Sequence, residues 1–249
     1  MNREVVVLSA VRSAIGSFGG GLSGIEPGEL GGQVMKEAVA RSGVDAADIN
    51  YVTVGNCIPT DSRFAYVARV AAINAGLPME SVAMAVNRLC SSGLQAIVST
   101  SQAIMLGDCD YGIGGGVEVM SRGSYMAPAM RSGARMGDTK MIDMMVATLT
   151  DPFGVGHMGI TAENLVTKWG ITREEQDALS VESHRRAAFA IAEGRFKSQI
   201  VPIVMQTRKG EVIFDTDEHV KANTTMESLG KMKPAFKKDG SVTAGNASG

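Results

Sequence analysis

The segment Asn87-Arg-Leu-Cys90-Ser-Ser-Gly93-Leu-Gln sets a cysteine at the junction of two elements. Before it runs Ser81-Val-Ala-Met-Ala-Val86, whose length and flanks suit a buried strand; after it comes the apolar-striped helical pattern of 91–106. A helix N-terminus presents unpaired backbone N–H groups and the positive end of the helix dipole, which favour a thiolate over a thiol. The same N–H groups can bind the oxyanion formed when a thioester carbonyl is attacked. Gly93 is expected to let a second backbone approach, and Ser91 and Ser92 keep the turn small and polar. Position alone leaves a second reading open, in which Cys90 is a small buried hydrophobe.

The other two cysteines are poorer candidates. Cys57 follows Gly55-Asn56 at a strand end, and Cys109 lies in Gly107-Asp-Cys-Asp110, where two carboxylates raise a thiol pKa. A cysteine nucleophile needs a base, and His157, His184 and His219 are the histidines present. His184 lies beside Arg185 and Arg186, and His219 in Asp215-Thr-Asp-Glu-His, so both read as solvated surface groups. His157, between the glycines of Gly156-His-Met-Gly159, is placed either to touch a ligand or to be a hydrogen-bonded loop histidine. Gly112-Ile-Gly-Gly-Gly-Val-Glu118 lacks the last glycine of a dinucleotide fingerprint and opens no helix, so it reads as a closely packed strand end.

The elements that must position these residues alternate. Apolar runs at 4–10, 50–56, 81–89 and 111–120 read as strands, and 29–42, 65–76 and 91–106 as helices, with Gly43 and Gly76 as stops, which is α/β organisation. From Ser121 to Gly137 the texture turns to Gly, Ser, Met, Pro and Arg, an irregular insertion whose methionines suit an acyl chain, a subunit contact or ordinary packing. A helix is expected over 160–168 and a longer one over 173–193, the latter opened by a Thr172/Glu175 capping box and stopped by Gly194. The stretch 200–214 reads as a hairpin turning at Lys209-Gly210.

At 249 residues, 45% hydrophobic and 20% charged, the chain can bury a sizeable core. A formal charge of −2 and a pI near 6.0 give no electrostatic footprint for nucleic acid or a membrane surface. No run approaches the roughly 18 apolar residues of a spanning helix, the cysteines lack metal-ligand or paired spacing, and cytoplasm is the expected compartment.

Four segments together resemble thiolases, most of all bacterial acetyl-CoA acetyltransferases: Asn87-Arg-Leu-Cys-Ser-Ser-Gly-Leu-Gln-Ala96, Gly115-Gly-Val-Glu-Val-Met-Ser121, His157-Met-Gly-Ile-Thr-Ala-Glu-Asn164 and Thr243-Ala-Gly-Asn-Ala-Ser-Gly249. The likeness starts at Val5 and runs in order, with family spacing, to the last residue, over about the first two-thirds of the family's length. It implies a thiolase-like α/β fold: the N-terminal half of a five-layered αβαβα architecture over 1–120, an inserted CoA-binding loop domain over 121–241, and a return strand cut off in 242–249. It further implies that Cys90 takes the acyl group as a thioester, with its own N–H in the oxyanion hole. The family's CoA contacts map onto Leu149, His157, Met158, Lys221, Ser228, Ala235, Phe236, Ala244, Ser248 and Gly249, which reassigns His157 from base to pantetheine contact. The family usually has arginine where Lys221 stands, and lysine lacks the planar fork, so CoA is expected to be held more weakly or differently at its adenine end.

The implied reaction is a reversible Claisen condensation of acetyl-CoA to acetoacetyl-CoA, with CoA thioesters as substrates and no metal or redox cofactor. The family's Asn-Glu-Ala-Phe, Gly-His-Pro and Cys-x-Gly-Gly-Gly motifs are missing from the sequence, so the chain is expected to be truncated or split and inactive alone. The complement would then sit on another chain, and the assembly is expected to be a homo-oligomer, dimeric or tetrameric. Two other readings stand beside this one: a ketoacyl-synthase-like condensing enzyme, and a non-catalytic CoA-thioester binding or assembly subunit.

Overall fold

The computed structural model describes residues 3–208 and 210–248. The chain divides into two compact units, Met1–Met145 with Gln199–Asp215, and Val146–Ser198 with Thr216–Gly249.

In the first unit a two-residue strand, β1 (Arg12–Ser13), is followed by helix α1 (Pro27–Ser42). Proline in the first turn costs α1 no intrahelical bond, and Gly43 ends it at a φ of 75° that other residues resist. Strand β2 (Tyr51–Gly55), helix α2 (Val67–Asn74), strand β3 (Val82–Val86), helix α3 (Ser92–Leu106) and strand β4 (Gly112–Gly116) follow. β2 lies between β3 and β4, all parallel, with Tyr51 opposite both Val82 and Gly112. Parallel neighbours need crossover connections, which α2 and α3 supply. Helices α1 and α2 cover one face of β2, where Val52 and Val54 are buried with Met35, Ala68, Ala71 and Ala72. The two helices pack so closely that a Cβ on Gly32 would stand 2.6 Å from the Asn74 side chain.

Strand β5 (Tyr125–Met126), inside the irregular stretch, pairs antiparallel with β6 (Ile142–Asp143), just beyond it. Helix α4 (Met144–Thr148) carries the chain into the second unit, where β7 (Thr150–Asp151) pairs with β8 (Gly156–His157). Helices α5 (Met158–Trp169), α6 (Arg173–Ala192) and α7 (Met226–Gly230) make up the rest of that unit's regular structure. Back in the first unit, β9 (Ile200–Val201) pairs in parallel with β1, and β10 (Ile203–Thr207) with β11 (Gly210–Phe214) forms the expected hairpin. Lys209, at its turn, lies outside the described residues.

The capping box forms as read: the Glu175 N–H donates to the Thr172 hydroxyl at 3.1 Å, and the Thr172 N–H to the Glu175 carboxylate at 2.7 Å. Thr172→Ala is expected to lower stability by about 1 kcal/mol, measured as a shift in the urea midpoint; an unchanged midpoint would show that α6 does not need the cap.

Two sequence expectations fail. Residues 4–10 form no strand; only β1, just beyond them, is paired, and Val6, Val7 and Leu8 are exposed. A strand exists by its ladder, and these apolar residues have no ladder partner among the described residues. The run 81–86 does contain a strand, but not a buried one, because β3 is the edge of its sheet and Val82 is 58% exposed.

Candidate active site

The path from β3 into α3 makes a turn that its own sequence does not favour. Leu89, immediately before Cys90, has φ 51°, the only positive φ among the described non-glycine residues. A left-handed leucine costs about 1–2 kcal/mol and persists only where its surroundings fix it. Here the Leu89 N–H donates to the Asn87 side-chain oxygen at 3.0 Å. The Leu89 carbonyl accepts from the Ser92 hydroxyl at 2.6 Å, the Ser92 N–H at 3.0 Å and the Cys57 thiol at 3.1 Å. The Ser92 oxygen also accepts from the Arg88 N–H at 2.8 Å. Ser91 is the N-cap of α3, so Cys90 stands one residue ahead of the cap, with its side chain exposed at the positive end of the helix.

Beneath the turn the strand ends are glycine because backbone lies against backbone. A Cβ on Gly55 would fall 2.4 Å from the Ser92 carbonyl carbon, and one on Gly114 2.7 Å from the Ile97 Cα. A second backbone does lie beside Gly93, since a Cβ on Gly55 would fall 2.6 Å from its nitrogen and one on Gly116 3.1 Å from its Cα, but the tight fit is demanded of those partners; at Gly93 itself a Cβ would meet nothing nearer than 3.7 Å.

Glu118, just beyond β4, ties the neighbouring loop down. Its carboxylate accepts from the Asn56 side chain at 2.8 Å, the Cys57 N–H at 2.8 Å and the Ile58 N–H at 3.2 Å. Burial pushes the Glu118 pKa up, and these donors pull it part of the way back. Burial is also the first cause raising the Cys57 pKa, and the first for Cys109, where Asp108 and Asp110 add to it as the sequence suggested.

The mapped CoA contacts that are described all belong to the second unit. His157 caps α5: its Nδ1 accepts from the Gly159 N–H at 3.1 Å, and its ring stacks on Phe236 with centroids 5.0 Å apart. Gly159 must be glycine, since a Cβ would enter the Phe236 ring at 2.2 Å. The Met158 N–H donates to the Leu149 carbonyl at 2.8 Å, and the Ala235 N–H to the Val242 carbonyl at 2.9 Å. Ser228 closes a second capping box with Thr225 at α7. Ala244 and Ser248 are exposed on a terminal turn, and Gly249 lies outside the described residues. That turn is anchored by two buried acids: Glu163 accepts from the Ser241 and Val242 N–H groups at 2.9 and 2.8 Å, and Asp177 accepts from Asn246 at 2.9 Å and Arg173 at 2.8 Å.

His184 is not the solvated group its sequence neighbours suggested. It is half-buried, and its Nδ1 accepts from the Lys221 N–H at 3.2 Å, while the His219 ring lies 6.1 Å away. Burial first, then the charges of His219 and Lys221, push its pKa below the ordinary 6.5. A histidine depressed in the fold leaves the unfolded chain binding more protons, so its contribution is complete above the unfolded pKa and shrinks as pH falls through the folded one. The thermal midpoint is expected to fall on acidification below 6.5, and less steeply in His184→Asn; identical pH profiles for the two proteins would contradict the assignment.

Sequence reasoning overlooked the Ser92 hydroxyl, Glu118, Glu163 and Asp177. The available signal was a carboxylate directly after a glycine-rich strand for Glu118, and for Glu163 its place inside a quoted motif. Among the described residues no group of three or more His, Cys, Asp or Glu side chains is placed to hold a metal ion, and no helix is long and apolar enough to cross a membrane. A surface hollow of about 730 Å³ along α6 beside Arg185, Phe189 and Arg195 includes neither Cys90 nor His157.

Comparison with known proteins is consistent along the whole chain. Residues 5–249 match the model of the thiolase N-terminal domain. Beta-ketothiolase BktB of Cupriavidus necator is 55% identical over 100% of this chain, which spans 64% of that protein. The crystal structure of the Bacillus anthracis acetyl-CoA acetyltransferase superposes with a TM-score of 0.94 at 46% identity, over 98% of this chain and 62% of that one. Human mitochondrial 3-ketoacyl-CoA thiolase in complex with CoA gives 0.91 at 37%, over 98% and 61%. The chain thus spans under two-thirds of the length of these relatives. Its fold is the α/β fold of their N-terminal portion, and the chain belongs to the thiolase family.

Proposed function

We propose that Cys90 accepts an acetyl group from acetyl-CoA, the first half of a thiolase reaction whose second half is Claisen condensation to acetoacetyl-CoA, or thiolysis in reverse. The observation that carries this reading is the strained Leu89 turn, which holds an exposed thiol at the start of α3 with four hydrogen bonds around the residue before it. In the acylation step the Cys90 thiolate attacks the thioester carbonyl, the tetrahedral oxyanion draws on the N–H groups of the helix start, and CoA leaves as its thiolate. The chain needs no metal or redox cofactor in this scheme, because thioester exchange moves neither electrons nor hydride.

CoA would be held by Leu149, His157, Met158, Lys221, Ser228, Ala235, Phe236, Ala244, Ser248 and Gly249. The stacked His157–Phe236 pair supports this reading, since it offers an apolar face with a fixed edge. Beta-ketothiolase and acetyl-CoA acetyltransferase relatives support the acetyl group as cargo. The same reading divides the chain into the nucleophile-bearing half (1–120), a CoA-binding loop domain (121–241) and the start of a return strand (242–249). It also includes a homo-oligomeric assembly, completed by the rest of the family's length, in the cytoplasm. Apolar side chains exposed along α3, Leu94, Ile97, Val98 and Leu106, support a covering partner surface, and three free thiols suit a reducing compartment.

The test is chromatographic measurement of CoA released when the purified chain meets acetyl-CoA. One CoA per chain, without further turnover, supports acyl acceptance; binding with no release would favour a non-catalytic CoA-binding module.

A further inference from the structure

Cys57 stands where a second thiol has consequences for the first. Its Sγ lies 3.1 Å from the Leu89 carbonyl oxygen and 3.2 Å from the Ser92 hydroxyl, groups that flank Cys90 on both sides. The Leu89 carbonyl carbon is bonded to the Cys90 nitrogen, so covalent geometry brings the Cys90 Cα within roughly 6 Å of the Cys57 sulfur. Adding the roughly 2.8 Å from the Cys57 sulfur to its own Cα puts the two Cα atoms no more than roughly 9 Å apart; disulfides bridge Cα atoms about 4.4–6.8 Å apart, so rotation of both side chains and a shift of the Leu89 turn close the bridge. The two groups also sense each other: a thiolate on Cys90 opposes ionisation of Cys57.

We propose that Cys57 is a resolving thiol for Cys90, so that a hydroperoxide converts the pair to a reversible Cys57–Cys90 disulfide. In the first step the Cys90 thiolate attacks one peroxide oxygen; an S–O bond forms, the O–O bond breaks, and hydroxide (or an alkoxide, from an organic peroxide) leaves, taking up the proton that the Cys90 thiol gave to solvent to become water (or an alcohol). The sulfenic acid formed is neutral, which removes the charge that opposed Cys57. The Cys57 sulfur then attacks the Cys90 sulfur, the S–O bond breaks, and hydroxide leaves with the Cys57 proton as water. Two thiols have lost two electrons and the peroxide has gained them. The bridge withdraws the Cys57 thiol from the Leu89 carbonyl and blocks the nucleophile at the same time. In a reducing compartment such a bond is transient and redox-sensing.

The test treats the purified chain with about ten equivalents of hydrogen peroxide, enough to carry an unresolved sulfenic acid on to sulfinic and sulfonic acid, blocks free thiols with an alkylating reagent, and maps peptides without reduction. Trypsin with Asp-N separates Asp48–Thr60, which holds Cys57, from Leu89–Gly107, which holds Cys90 alone. The expected product is these two peptides joined, returned to free thiols by dithiothreitol, with Cys109 still reduced. In Cys57→Ser, nearly isosteric and expected to keep the wild-type circular dichroism spectrum, Cys90 is expected to pass to sulfinic and sulfonic acid, with about tenfold less thiol recoverable by dithiothreitol. A wild-type chain in which Cys90 over-oxidises while Cys57 stays free would overturn the resolving role and leave the nucleophile reading intact. A Cys90 that neither oxidises nor alkylates would overturn both.

Discussion

Cys90→Ala is expected to accept acetyl from acetyl-CoA at least about a thousandfold more slowly than the wild-type chain, because no other group replaces a nucleophile and only binding remains. Alanine removes the sulfur without disturbing the turn: the fixing bonds are made by the Leu89 backbone, Asn87, Ser92 and Cys57, and none uses the Cys90 side chain. Loss of acetylation would therefore report chemistry rather than misfolding, which an unchanged circular dichroism spectrum and CoA affinity would confirm. Cys109→Ala is the matching control. Cys109 is 4% exposed, its thiol is pushed up by burial and by Asp108 and Asp110, and its loss should leave acetylation near the wild-type rate. Equal acetylation of Cys90→Ala and wild type would remove Cys90 from the reaction.

Gly55→Ala is expected to lose about 3 kcal/mol or more, the upper range for overpacking, because the new methyl group would overlap backbone rather than a side chain that can rotate away. At 2.4 Å from the Ser92 carbonyl carbon and 2.6 Å from the Gly93 nitrogen, it forces the first turn of α3 off the sheet, and Cys90 with it. The effect should show twice, as a lowered urea midpoint and as a changed rate of Cys90 alkylation by iodoacetamide. Gly115→Ala, where a Cβ would meet nothing within 4 Å, should show neither change. If both variants were as stable as wild type, the close seating of the helix start on the strand ends would be wrong.

Much of the frame was legible because it is local. The helix over 173–193 announced its own start through Thr172 and Glu175 and its end through Gly194, and the structure ends it one residue earlier, at Ala192. The strand, turn and helix around Cys90 were legible for the same reason, since an apolar run, a small polar turn and a periodic stripe follow one another within 26 residues of chain, 81–106. What failed depends on distant partners. Val5-Val-Val-Leu8 has the composition of a strand, but no ladder forms there, and the burial of 81–86 depends on what covers its sheet edge. The left-handed Leu89 was hidden because leucine has no preference for that conformation; it is imposed by Asn87, Ser92 and Cys57, the last from 32 residues earlier. Glu118 was hidden likewise, because its partners Asn56, Cys57 and Ile58 are about 60 residues away in sequence. The family resemblance supplied the CoA contacts, which composition and periodicity do not mark, and it did not supply the buried acids Glu163 and Asp177 that anchor the terminal turn.

Peptide mapping of the chain after incubation with acetyl-CoA tests the central claim most directly. The account predicts one acetyl group, labile to neutral hydroxylamine as a thioester is, on Cys90 in the Leu89–Gly107 peptide. Acetyl found only on lysines or on Cys109, or on no residue of a folded chain that binds CoA, would contradict it.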